Sequence, residues 1–140
     1  MRRLITLQIV LLVLLLPACT QSPPPTPEGP TVGDIPIIET ATELEDQQLP
    51  LALRFVAQAH KETVKQSVLA NFHVGQPFID TIDWYDNELR RLEWKLIDVL
   101  EFGDGGFLRR YHRGGQRAIV AFHPGEEEGT DFMLLQGEVR

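Results

Sequence analysis

Only the last ninety or so of the 140 residues carry the apolar–polar alternation that a core needs. Ahead of them stand an apolar run from Leu4 to Leu16 and some thirty Pro-rich, acidic residues. This segmentation leaves room for one small domain and excludes a multidomain enzyme. The chain has one cysteine, Cys19, so a disulfide-stapled module is excluded as well. The apolar run, preceded by Arg2 and Arg3, is about thirteen residues long, short of the roughly 20 that span a bilayer. It has the proportions of a secretory signal over residues 1–18.

That run ends in Leu16-Pro17-Ala18-Cys19. An aliphatic residue three positions before the cysteine and a small residue just before it resemble the lipobox of bacterial lipoprotein precursors. The resemblance implies lipid transfer to the Cys19 thiol, cleavage before it and acylation of the new N-terminus. Several acyl chains, each buried CH₂ contributing about 0.8 kcal/mol, hold a protein stably on a membrane. Residue 20 is Thr rather than Asp. In a Gram-negative host, the resemblance then implies the outer membrane, facing the periplasm.

Residues 19–48 read as a lipidated, disordered tether. Pro23 to Pro25 favour polyproline II, and Glu28 to Asp46 hold six acids and no base. The patch Ile35-Pro36-Ile37-Ile38 is the exception: it is a plain linker, a partner-binding peptide or a strand that docks on the domain. Of the net charge of −7, most belongs to this tether; residues 47–140 keep fourteen acids and eleven bases. A nearly balanced domain gives no footprint for nucleic acid.

Residues 49–140 predict an α+β domain. Val68, Ala70, Phe72 and Val74 share one face of a half-buried strand. After Pro77, the residues Phe78, Ile82, Tyr85, Leu89 and Leu92 form a helical stripe. Trp94 to Phe102 is strongly apolar and reads as a central strand. Glycine turns at 103–106 and 114–115 then separate strands over 107–113, 117–123 and 130–139. Leu51 to Gln58 fits either a helix or a strand, and the spacing of Leu51, Leu53 and Phe55 tips it to a strand. The expectation is one helix packed on an antiparallel four- to five-stranded sheet ending in a β-meander.

Phe72-His73-Val74-Gly75, Trp84-Tyr85-Asp86-Asn87-Glu88-Leu89, Trp94-Lys95-Leu96, Arg109-Arg110-Tyr111, Arg117 to Val120 and Thr130-Asp131-Phe132 resemble a class of uncharacterised bacterial lipoprotein domains. The resemblance covers residues 50–140 and implies the same helix-then-meander fold, with no activity attached. That class has Gly before the Trp that follows the helix; here the residue is Glu93.

Candidate chemistry is sparse. Asp80, Asp83 and Asp86 recur on helical turns with Glu88 nearby, and acids early in a helix complement its dipole. His60, His73, His112 and His123 show no ligand-pair spacing, so neither a metal nor a cofactor is expected. Ser67 with His73 or His123 would be the pair for a small hydrolase, but no nucleophile motif surrounds Ser67. The most distinctive cluster is Arg109, Tyr111, Arg113 and Arg117, with Arg110 and His112 between them. It suits an anion or acidic partner, or a solvated face with arginines paired to Asp98, Glu101 or the Glu126–Glu128 loop. The acidic tether, folding back, is a further candidate ligand. Trp84, off the helical stripe, suits a partner anchor or a cover over a sheet edge. The functional expectation is a non-enzymatic, membrane-anchored envelope lipoprotein serving as an adaptor or accessory subunit for another envelope component. The alternative is a module that binds an anionic polymer or lipid headgroup.

Overall fold

The structure, a computed structural model, describes residues 22–125 and 128–140. The signal segment, Cys19, Glu126 and Glu127 lie outside the described residues. Among the described residues, eight strands and two α-helices follow in chain order. Strands β1 (Thr31–Val32), β2 (Ile35–Pro36) and β3 (Thr42–Glu43) come first, then α1 (Leu51–Lys61). Strand β4 (Val64–Val74) leads into α2 (Phe78–Arg91). The rest is strand: β5 (Lys95–Phe102), β6 (Gly106–Arg113), β7 (Gln116–Pro124) and β8 (Thr130–Val139).

The class is α+β. The main sheet is antiparallel throughout, six strands in the order β3-β4-β8-β7-β6-β5. The meander from β5 to β8 is as the glycine turns indicate. The last strand then slots between β7 and β4, and so β8 is the most enclosed, with Thr130 to Gly137 all buried.

Each sheet face is covered. On one, α2 lays Ile82, Tyr85, Leu89 and Leu92 against Phe72, Val120, Phe122, Phe132 and Leu134. On the other, Leu49 and Leu53 meet Val64, Leu108, Ile119, Ala121, Met133 and Leu135. The helical stripe in α2 is thus the one buried, while Asp83 and Asn87 face out.

Three expectations need correction. Leu51 to Gln58 belongs to a helix, so the domain has two helices rather than one. Leu53 is fully buried, whereas Leu51 and Phe55, which gave the strand spacing, are exposed. Ala52, Ala57 and Ala59 supply the helix propensity that this spacing obscured. Second, Trp94 to Phe102 does not form a central strand: β5 is the sheet's outer edge. Apolar content is local, whereas edge or centre depends on which strand the chain later lays alongside.

The third correction concerns the tether. Residues 31–48 are part of the folded unit, and of the three fates open to Ile35–Ile38, docking is the one observed. Val32, Ile35 and Ile38 are buried in the same core cluster as Tyr85 and Trp94. Gly33 makes this possible: it turns β1 into β2 at φ +60°, and a Cβ there would lie 2.6 Å from Gln136 Oε1. Strand β3 then pairs Thr42 and Glu43 with His73 and Phe72.

The end of α2 settles what Glu93 does. Trp94 N–H donates to Leu89 O at 2.9 Å and Glu93 N–H to Arg90 O at 3.0 Å. This is a Schellman closure, with Glu93 in the glycine position at φ +64°. A left-handed non-glycine residue costs roughly 1–2 kcal/mol. Part of that is regained through its smaller unfolded-state entropy. Glu93→Gly is therefore expected to stabilise the protein by about 1 kcal/mol. An unchanged or lowered urea midpoint would show that the closure is not strained.

Candidate functional site

The hairpin β6–β7 was the strongest sequence candidate, and the register divides it. Tyr111 pairs with Ala118 and Arg109 with Val120, on the α2 face. Arg110 pairs with Ile119 and His112 with Arg117, on the α1 face. Arg109, Tyr111 and Arg113 therefore sit together, while Arg117 stands on the opposite side of the sheet. The four do not converge on one ligand.

On the α2 face the cations already have partners. Asp86 accepts from Tyr111 Oη at 2.5 Å and lies 2.7 Å from Arg109 Nη1. Burial, and then the Asp86 carboxylate, push the Tyr111 phenol well above its usual range. Arg113 lies over the Trp94 ring at 4.5 Å. Its Nη1 donates to Leu92 O at 3.1 Å, capping α2, and its Nη2 donates to Asp34 at 2.7 Å. Asp34 comes from the acidic segment read as tether, so that segment does fold back onto the hairpin. Gln136 completes the clip, accepting from Asp34 N–H at 2.7 Å.

On the α1 face, Arg110 forms a two-pronged pair with Asp98 across β5 and β6. The guanidinium beside Asp98 holds that carboxyl below its ordinary range. His60, at the end of α1, stands near Arg110, Arg117 and Asp98; burial first, then the two arginines, lower its pKa. Arg117 Nε is buried without a hydrogen-bond partner among the described residues.

The helical acids do not share a site either. Asp86 reaches the sheet, and Glu88 pairs with Arg91 within α2. Among the described residues no group of three or more His, Cys, Asp or Glu side chains is placed to hold a metal ion. Trp84 is half-buried and packs edge-on against Tyr85, with ring centroids 4.8 Å apart.

His73 and Asp131 face each other across β4 and β8, with Nδ1 to Oδ1 at 2.7 Å. They line an open groove of about 760 Å³ beneath residues 44–54, together with Arg54. A carboxylate holding Nδ1 orients an imidazole as it would in a base. Ser67, however, lies six residues back along β4, roughly 20 Å away at the usual strand rise. The Ser67–His73 pairing considered from sequence does not assemble.

What the sequence reading missed is the outer edge. Leu96, Ile97, Val99 and Leu100 are between 42% and 47% exposed, a concentration that stands out in so small a domain. No described strand pairs with the outer side of β5. The opposite edge ends in the two-residue β3. The missed signal was the charge pattern Lys95, Asp98, Glu101 within the apolar run, since charged residues interrupting a strand favour an edge. Among the described residues, no helix is long and apolar enough to cross a membrane. Among family models, curated proteins and solved structures, none matches this chain.

Proposed function

We propose that this chain is a lipid-anchored envelope protein of non-catalytic type, an adaptor or accessory subunit that meets its partner through the outer edge of β5. The lipobox at Cys19 supplies the anchor. The observation that carries the partner contact is the eight-residue β5, whose outer side no described strand pairs and which presents four exposed aliphatic side chains. Unpaired strand N–H and C=O groups form main-chain bonds with an added strand, and the flanking side chains give specificity. The partner is an extended segment of an envelope component.

The test uses the full chain in its own membranes, with a photo-crosslinking side chain in place of Ile97 and a control at Asp83, which is exposed on α2. A discrete adduct from position 97 and none from 83 is expected. Val99→Lys puts a charge on the edge and is expected to cut that adduct about tenfold. Val99 is 42% exposed, so the substitution leaves the core intact. An absence of any adduct at 97 defeats the reading.

The alternative, an anion-binding module using Arg109, Tyr111, Arg113 and Arg117, has weaker support. Arg109 and Arg113 are already engaged by Asp86 and Asp34. An incoming anion must displace both.

A further inference from the structure

We infer that the domain rests its basic end on the anionic phospholipid headgroups of the membrane that holds it. The inference depends on the proposed anchor at Cys19 and adds a second membrane contact to it. The sheet registers define that end. Lys95 pairs with His112, Arg113 with Gln116, and Glu138 with both Gln116 and Lys65. Both α-helices finish there, α1 at Lys61 and α2 at Arg90 and Arg91, just before β4 and β5 begin. Lys61, Lys65, Arg90, Arg91 and Lys95 are all exposed. Among the described residues, only Arg91 of these five forms an ion pair. The acids interspersed with them are Glu62, Glu93 and Glu138. Arg90, Lys95, His112 and Arg113 also line an open hollow of about 600 Å³, which Glu93 and Trp94 share. Arg113 is already held by Asp34, which leaves Arg90 and Lys95 to meet a phosphodiester.

The opposite end of the sheet has the opposite charge. Glu43, Asp80, Glu101 and Asp104 gather where β4 and β5 finish and α2 begins. A domain polarised in this way orients in the field of an anionic surface, each base near that surface strengthening attachment roughly fivefold. The path of the chain points the same way. Glu28 lies within electrostatic reach of Arg91, and Asp34, in the β1–β2 turn, holds Arg113. The segment from Cys19 therefore joins the domain at its basic end. The nine residues after Cys19, up to Glu28, extend no more than about 30 Å. So short a connection keeps the basic end next to the membrane. The contact stands the strands upright, and the outer edge of β5 stays open sideways to a partner.

The test uses the full lipidated chain in vesicles that carry energy-transfer acceptors on their headgroups. The donor fluorophore sits at Thr63→Cys, on the basic end, or at Asp80→Cys, on the acidic end; both positions are exposed. In phosphatidylglycerol vesicles, transfer from position 63 is expected to exceed that from position 80 about twofold. Raising the salt from about 0.05 M to about 0.5 M shortens the Debye length and should bring the ratio to its value in phosphatidylcholine. Arg90→Glu combined with Lys95→Glu should do the same, whereas Arg90→Lys should leave the ratio unchanged. The salt comparison needs no charge variant, so loss of folding cannot mimic it. Equal transfer from both positions in phosphatidylglycerol overturns the inference and leaves the anchor standing. A difference that phosphatidylcholine reproduces, or that survives salt and both charge reversals, belongs to the attachment point of the tether alone and overturns it as well. A chain that fails to float with phosphatidylcholine vesicles lacks the anchor, and the inference falls with it.

Discussion

Asp86→Ala is expected to lower stability by about 3 kcal/mol, among the largest losses available from one surface-facing substitution. Asp86 serves two groups at once. Its side chain, only 20% exposed, sits 2.7 Å from Arg109 Nη1. It also accepts the hydroxyl of Tyr111, a residue that is 2% exposed. Alanine strands both, leaving a guanidinium that is 19% exposed without its counter-charge and a phenol that cannot reach water. An uncompensated buried charge contributes most of the cost, and the orphaned hydroxyl adds about 1–2 kcal/mol. Tyr111→Phe removes only one hydrogen bond and is expected to cost about 1 kcal/mol. Thermal melts of both variants measure the contrast, with a midpoint shift of roughly 10 °C for Asp86→Ala. Equal small shifts would show that Asp86 does not organise this face.

Phe132→Ala is expected to cost about 4 kcal/mol. Phe132 stands at full burial on the central strand β8. Its ring stacks on Phe72 with centroids 5.4 Å apart, and it meets Tyr85 at 5.4 Å and Phe122 at 6.4 Å. Truncation removes the transfer energy of the ring and leaves a cavity walled by three aromatic rings. Strand backbones on either side keep those walls from collapsing. Phe132→Leu refills much of the space and is expected to cost less than half as much. Urea unfolding of the two variants checks this, and a similar loss for both would mean that shape rather than volume governs the site.

The two predictions concern different kinds of bond, and the sequence foreshadowed them unequally. Phe132 lies in an apolar run that any strand reading places inside. Asp86 was one of a set of helical acids, and its spacing alone could not tell a solvated carboxylate from one that reaches the sheet. Only α2's position over β6 distinguishes Asp86 from Asp80 and Asp83.

The candidate site shows the same limit. The arginines of the hairpin were visible as a cluster because they are close in sequence. Alternation along a strand then sends Arg110 and Arg117 to one face and Arg109 and Arg113 to the other. The partners that engage Arg109 and Arg113, Asp86 and Asp34, come from distant parts of the chain. The docking edge was hidden for a related reason: a run such as Leu96-Ile97 with Val99-Leu100 looks interior until the strand order is known.

By itself the sequence determined the local structure: the α2 stripe, the glycine turns of the meander, the long β4 strand and the α+β class. Each follows from periodicity or from a φ preference, which operate over a few residues. It also carried the resemblance to a lipobox at Cys19, which needs no fold to be recognised. The tertiary structure alone decided what depends on long-range pairing. It drew β8 in between β4 and β7, which left β5 outside. It gave Leu51 to Lys61 a core to lie against, favouring a helix over an ambiguous strand. And it buried Ile35 and Ile38 of an acidic, Pro-rich segment, because a hydrophobic surface beside α2 was there to receive them.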